Sequence, residues 1–307
     1  MRCCIESLAF QSADAMVITD AAGVIVRINR AYSEITGYSA DEAIGKRPGE
    51  LVNSGRQNPE FYRQMWVQLQ HDGHWSGELW NRRKNGELYP EFLSITAVAD
   101  EPDHTAYYVG IFHDISLRKR NEARIEHLAF YDPLTDLPNR RLFLDRLQLA
   151  RRLSLRDQVW NALCFIDLDN FKPLNDAFGH GYGDQLLVDV AHRLQGCVRD
   201  ADTVARLGGD EFIVMLQNLG SDRHAAQRHA AMVATKINEQ IALPYQLQDQ
   251  RWQLSCSIGV TLFCGTPLTE DALLQHADAA MYQAKKAGKN TLRFFNNEND
   301  SDTLTAT

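Results

Sequence analysis

The stretch Thr203–Leu216, TVARLGGDEFIVML, limits what this chain can fold into more than any other segment. Two apolar runs flank Gly208 and Gly209, a pattern that reads as a hairpin with a tight turn. Strands this apolar read as buried, so the hairpin belongs to a sheet covered by helices. Two carboxylates, Asp210 and Glu211, follow the turn at once. They are either a solvated turn or groups set to meet a ligand, which the glycines let come close to the backbone. A second acidic strand end occurs in FIDLDNFK, where Asp167 and Asp169 alternate with Leu168 and so share a face. Two such ends side by side repel each other unless a cation lies between them. Hard oxygen ligands suit Mg²⁺ or Mn²⁺ holding a polyphosphate. Lys172 follows as a charge that can offset phosphate. Asn175 and Asp184 supply an amide and a carboxylate for a base edge. Spacing by itself leaves a metal site and a wet turn both open.

At 307 residues the chain has room for two domains with separate cores. Its 44% hydrophobic and 23% charged residues are ordinary for a soluble globular protein. A formal charge of −8 argues against a nucleic acid polymer as the main partner. No apolar run approaches the roughly 18 residues of a membrane span. The opening MRCCIESLAF makes a poor signal peptide, so a cytoplasmic protein with no membrane association is expected. The six cysteines form no CxxC pair and no zinc-type spacing.

Residues 8–116 read as short strands and turns with a little helix. AMVITDAAGVIVRIN suggests a hairpin. NPEFYRQMWVQLQHDG places Phe61, Met65 and Leu69 on one helical stripe. GHWSGELWNRRKNGELYPEFLSITAVAD gives two strands about an Asn85–Gly86 turn, the strongest short hairpin signal. HTAYYVGIFHDIS completes an antiparallel sheet of about five strands. These motifs together resemble a PAS sensor domain with its PAC portion. The resemblance implies a curved sheet with flanking short helices that encloses a ligand or serves as a dimer contact.

The identity of that ligand is open at this stage, with flavin as one candidate. WSGELWNRRKNGE resembles flavin-binding PAS domains, and Trp75 stands where it could line an isoalloxazine pocket or form plain core. A haem would need an axial ligand such as His71, His74 or His113. No cysteine lies between Cys4 and Cys164, which excludes a thiol adduct.

Leu117–Phe130 contains no Gly or Pro and is rich in helix formers. Leu117, Ile125 and Leu128 form a thin apolar seam, marginal for one helix and suited to a short coiled coil between two chains. From Tyr131 the pattern changes to βαββα followed by more β and α, an α+β arrangement with helices on an antiparallel-centred sheet. Helices are expected at Gly183–Val198, His224–Leu243 and Glu270–Ala287, with WQLSCSIGVTLF and TLRFF as strands. Residues 297–307 read as a polar tail.

Residues 131–296 resemble a GGDEF domain, the diguanylate cyclase module. Five motifs carry the likeness: DPLTDLPNR, FIDLDNFKPLNDAFGHGYGDQLL, the intact Gly208–Phe212 signature, SIGVT, and ADAAMYQAKKAGKN. The resemblance implies a homodimer in which each domain binds one GTP and two 3′-hydroxyl attacks yield cyclic di-GMP and two pyrophosphates. It implies that Asp167, the Leu168 carbonyl, Asp210 and Glu211 hold Mg²⁺ or Mn²⁺, and that Asp210 accepts the proton of the attacking hydroxyl. Phe171 and Lys172 would lie against the triphosphate, with His180 among the substrate-binding residues. Asn175 and Asp184 would recognise guanine, while Lys285 and Lys289 would hold the terminal phosphates. Lys289 stands where the family often has Arg, so it keeps the charge and loses the bidentate fork.

Arg199-Asp200-Ala201-Asp202 forms an RxxD motif with five residues between Asp202 and Gly208. That placement matches the family's inhibitory product site, with Arg199 and Asp202 as ligands of cyclic di-GMP; an exposed loop of mixed charge is the plainer reading. A third residue, with Lys236 as one candidate, is not assignable from spacing. The twelve residues after Phe295 leave no room in this chain for an EAL-type phosphodiesterase. The remaining alternatives are a degenerate domain that binds GTP or cyclic di-GMP without turnover, and a PAS adaptor working through protein contacts.

Overall fold

A computed structural model describes residues 12–101, 104–265 and 267–296. Residues 8–11 of the expected sensor segment, Cys3, Cys4 and the tail 297–307 lie outside the described residues. The chain separates into two compact units, Met1–Arg124 and Ile125–Thr307.

The first unit contains β1 (Ala15–Asp20), β2 (Ile25–Ile28), α1 (Arg30–Thr36), α2 (Ala40–Ala43), α3 (Pro48–Val52), α4 (Pro59–Asp72), β3 (His74–Arg82), β4 (Leu88–Glu101) and β5 (His104–Asp114). Its five strands pair antiparallel in the order β2-β1-β5-β4-β3. The first hairpin closes because the Asp20 carboxylate accepts from the Ala22 and Val24 N–H groups, both at 2.9 Å. Asn58 caps α4 through the Phe61 N–H, and the expected stripe packs inward with Met65 and Leu69 buried. Trp75 belongs to that core. Its ring meets Phe61 edge-to-face at 6.0 Å and covers Gly77, where an added Cβ would lie 2.7 Å from it. His71, His74 and His113 all stand exposed.

Helix α5 (Ser116–Phe130) begins where Asp114 accepts from the Ser116 N–H at 2.7 Å. Leu117, Ile125 and Leu128 are exposed along it, so the expected seam is uncovered within one chain.

The second unit contains α6 (Arg140–Asp157), β6 (Asn161–Leu168), α7 (Phe171–Phe178), α8 (His180–Cys197), β7 (Thr203–Gly208), β8 (Glu211–Leu216), α9 (Arg223–Ile241), β9 (Tyr245–Leu247), β10 (Gln250–Trp252), β11 (Cys256–Phe263), α10 (Glu270–Lys286) and β12 (Thr291–Phe294). The large sheet runs β12-β11-β6-β8-β7. Three features differ from the sequence expectation. Helix α7 forms with Pro173 in its first turn, where the missing N–H costs nothing. WQLSCSIGVTLF is not one strand: Trp252 ends β10, which pairs with β9, and the strand that pairs with β6 starts at Cys256. The edge strand β12 runs parallel to β11, because α10 carries the chain back before β12 starts.

Every residue of β6 is buried, because helices cover both faces. Ala162, Cys164, Ile166 and Leu168 share one core with Leu186, Val190 and Ala234 of α8 and α9. Leu163 and Phe165 point the other way, against Phe143 of α6 and Ala277 and Met281 of α10. On that second face α10 lies flush on β11 at Gly259. A Cβ there would stand 2.0 Å from the Ala277 carbonyl oxygen and 2.2 Å from the Met281 nitrogen. Both are backbone atoms and cannot yield separately. Gly259→Ala is therefore expected to cost about 1–3 kcal/mol or more by forced overpacking. Urea unfolding of the variant checks this; a midpoint unchanged from the parent would contradict the close approach.

Candidate active site

The alternation of β6 and β8 assembles the acidic centre. Asp167 continues the face of Leu163 and Phe165, and Glu211 continues that of Ile213 and Met215. The β6–β8 register sets Asp167 directly opposite Glu211. Like charges opposed across two strands destabilise them, and the chain offsets this with a cation from α10. The Lys285 ammonium lies 2.7 Å from Asp167 Oδ2. Burial pushes the Asp167 carboxyl up, with repulsion from Asp210 and Asp169 adding to it against the pull of Lys285. Glu211 is raised as well, first by burial and then by Asp167, Asp210 and Asp278. Such a set gains from further positive charge.

The turn itself is held by its backbone. Gly209 takes φ +53 and Gly208 φ +148, conformations that favour glycine. The Leu168 N–H donates to the Asp210 carbonyl at 3.3 Å, joining the two acidic strand ends. Arg206 was not anticipated from sequence. Its Nε and Nη2 donate to the Gly209 carbonyl at 3.1 and 2.7 Å. Its Nη1 donates to Asp132 Oδ1 at 2.9 Å, which also accepts from Thr135. Burial opposes the charge on Asp132, but the bonds from Thr135 and Arg206 hold its carboxyl below the usual range. The DPLT motif thus reaches the turn through one guanidinium. The sequence signal was an Arg two residues before a Gly-Gly turn and an acid in a distant turn motif.

Asp169 has a different role from Asp167. Only 2% exposed, it accepts from Ser257 Oγ at 2.8 Å, Ser255 Oγ at 2.6 Å and the Asn290 N–H at 3.1 Å. It braces the end of β6 against β11 and the turn before β12. Lys289 donates to Asn170 Oδ1 at 2.8 Å, beside the same strand end.

Helices α7 and α8 carry the other expected residues. Phe171 packs on the core. Asn175 meets Gly183, where a Cβ would stand 2.0 Å from Asn175 Oδ1. That oxygen is buried and has no hydrogen-bond partner. Lys172, His180 and Asp184 are exposed, and no hydrogen bond or ion pair among the described residues joins them to the acidic cluster.

Among the described residues no group of three or more His, Cys, Asp or Glu side chains is drawn close enough to hold a metal ion. Lys285 occupies Asp167 in their place. The donors nevertheless fit a hard divalent cation: mutually repelling carboxylates raised by burial, beside a strand-end carbonyl.

The RxxD segment forms a tight loop between α8 and β7. Asp202 Oδ2 accepts from the Arg199 N–H at 3.1 Å and Oδ1 from the Gln217 N–H at 3.0 Å. The Arg199 guanidinium is exposed and lies 3.1 Å from His229 Nε2. Lys236 instead donates to the Gly196 and Cys197 carbonyls at 3.2 and 3.1 Å, closing the end of α8. His229, not Lys236, is the side chain against Arg199.

Comparison with known proteins follows this division. The family described as diguanylate cyclase, GGDEF domain, matches residues 129–291, and a PAS domain family matches 13–117. The bifunctional diguanylate cyclase/cyclic di-GMP phosphodiesterase MucR of Pseudomonas aeruginosa is 45% identical over 180 residues, covering 59% of this chain and 25% of MucR. The cyclic di-GMP phosphodiesterase PdeR of Escherichia coli is 30% identical over 293 residues, covering 95% of this chain and 43% of PdeR. The chain thus spans less than half the length of these relatives. The solved GGDEF domain of TpbB from Pseudomonas aeruginosa is 40% identical, with a TM-score of 0.51 over 54% of this chain and 94% of that one. Among the described residues no helix is long and apolar enough to cross a membrane.

Proposed function

Because the chain belongs to the GGDEF family of diguanylate cyclase domains, preceded by a PAS domain, we propose that it condenses two GTP into cyclic di-GMP and two pyrophosphates. It does so as a cytoplasmic homodimer under control of the PAS domain. The observation that carries this reading is the Asp167–Glu211 pair set opposite in register beside Asp210, with Lys285 drawn into it. A site built only for stability has no need of acids facing each other at a buried strand end.

In this reading Asp167, the Leu168 carbonyl, Asp210 and Glu211 would hold Mg²⁺ or Mn²⁺, which when bound draws negative charge from the triphosphate. Lys285, paired with Asp167 in the free chain, would hold phosphate oxygens of bound substrate, with Lys289 and Lys172 as further positive charges. Phe171 lies against the triphosphate. Asp210 accepts the proton of the attacking 3′-hydroxyl. Asn175 Oδ1, buried and unpartnered, takes a guanine N–H, and Asp184 takes the adjacent donors. His180 opens α8 beside them. The Arg206 clamp positions Asp210 by holding the carbonyl before it.

The second reading, GTP or cyclic di-GMP binding without turnover, draws on the likeness across 95% of this chain to less than half of PdeR, a protein named as a phosphodiesterase. Incubating the purified chain with GTP and Mg²⁺ separates the two. One pyrophosphate formed per GTP lost and one cyclic di-GMP per two support the cyclase, and bound GTP without product supports the adaptor.

Product feedback at Arg199 and Asp202 belongs to the same proposal. The exposed Arg199 fork suits phosphate or guanine. Arg199→Ala is expected to raise the cyclic di-GMP concentration giving half inhibition by about tenfold, the value of a lost charge-assisted bond. Initial rates at increasing added product measure it, and an unchanged curve would leave RxxD as a surface loop.

A further inference from the structure

Asn175 and Asp184 stand on different helices, α7 and α8, which meet with a single residue between them. That residue, Gly179, takes φ +86, a conformation that favours glycine. The distance and angle between the two side chains therefore depend on how the α7–α8 corner is held. Two groups that must fit one planar base edge need placement within about 0.5 Å and 10–20°. Leu174 and Leu186 tie both helices to the core.

A second hold comes from the β9–β10 hairpin. Its base is fixed, because Tyr245 and Leu247 are buried in the core. The Arg193 guanidinium of α8 stacks on the Tyr245 ring at 3.5 Å and donates to the Pro244 carbonyl at 2.7 Å. The hairpin ends in Trp252, whose ring meets Phe178 edge-to-face at 5.6 Å. Phe178 closes α7, and its ring lies 5.4 Å from that of Tyr182 in the first turn of α8. The Tyr182 hydroxyl in turn donates to Asp249 Oδ1, at the hairpin turn, at 2.8 Å. One hairpin thus grips both helices through three rings and a hydrogen bond. Phe178 stands one turn beyond Asn175, and Tyr182 two residues before Asp184, so displacement of the rings displaces both base-facing groups.

We propose that Trp252 and Asp249 are positioning residues for base recognition. Without touching the nucleotide, they fix the angle between α7 and α8 at which Asn175 and Asp184 meet one guanine edge. The inference rests on the guanine-binding reading of those two side chains. Phosphate contacts are set elsewhere, since Lys285 and Lys289 lie against Asp167 and Asn170. The hairpin therefore governs how the base binds and leaves the phosphate end alone.

The test titrates the full chain by calorimetry in Mg²⁺ with three probes: GDP, ADP as the base control, and pyrophosphate, which has no base. Trp252→Ala is expected to weaken GDP about tenfold and to leave pyrophosphate binding unaltered. Trp252→Phe keeps a ring against Phe178 and should bind GDP within about twofold of the parent. Asp249→Ala removes one exposed acceptor and should weaken GDP about threefold, whereas Asp249→Asn keeps an acceptor oxygen and should restore it. In turnover, the alanine variants should raise KM for GTP with kcat nearly retained. Parent-like GDP binding in both alanine variants would overturn the proposal. A joint loss of GDP and pyrophosphate binding would also overturn it, making the hairpin a support of the whole unit. A parent chain that binds GDP no more tightly than ADP would instead remove the guanine reading beneath the proposal.

Discussion

Asp210→Ala is expected to reduce cyclic di-GMP formation at least about a hundredfold, since one change removes both a proton acceptor and a ligand for the divalent cation. The fold should survive. The hydrogen bond from the Leu168 N–H goes to the Asp210 carbonyl, which alanine retains, and the Arg206 clamp holds Gly209. Asp167 and Glu211 both feel repulsion from Asp210, so losing its charge relieves them. The signature is a split: activity collapses while the melting temperature stays level or rises. Product formation with Mg²⁺, read beside a thermal melt, tests it directly. Substantial turnover in Asp210→Ala would remove the proposed role, and a collapsed melt would show that the acid serves the fold. Asp167→Ala should lose activity alike, whereas Asp210→Glu should keep a part because a carboxylate remains.

A comparable effect is expected from the phase of helix α5. The proposed reaction joins two GTP molecules held by two chains, so its rate depends on how the two catalytic units face each other. Leu117, Ile125 and Leu128 form an exposed seam too sparse to fix a single register strongly. Deletion within the first turns would also remove Arg118 and Lys119, both paired with Glu78. Alanine insertions between Arg124 and Ile125 avoid that complication. Four inserted residues turn the following unit by about 40° beyond one full turn, and seven bring it to about 20° short of two turns. The four-residue insertion is expected to change the rate of cyclic di-GMP formation severalfold, and the seven-residue insertion much less. Rates are compared on preparations shown by light scattering to be dimers. Parent-like rates in both would make the helix a passive tether.

Much of this architecture was legible in local sequence. The β7–β8 hairpin follows from two glycines between apolar runs, and α4 from a stripe at steps of four. The break at Asn85–Gly86 and the unbroken helix of α5 rest on equally local chemistry. Each depends on backbone preferences and side-chain periods that operate within a few residues. The acidic residues of the centre were legible for the same reason, since strand alternation and turn glycines announce them.

Other features needed the chain to be folded. Asp167 and Asp169 share a strand end and the same alternation, yet one enters the acidic centre and the other is bound by Ser255, Ser257 and Asn290. Nothing within FIDLDNFK distinguishes them, because the difference lies in what β11 and the turn before β12 bring alongside. The Arg206 clamp, the parallel edge strand and the assignment of Trp75 to the core are of the same kind. So is the burial of Glu91, which reads in sequence as one more polar residue on a strand. Sequence by itself determined which elements form and which residues stand at their ends, because those depend on neighbours along the chain. Only the tertiary structure decided which of those residues meet, because register between distant strands and the flush contact at Gly259 are set by packing across the sheet.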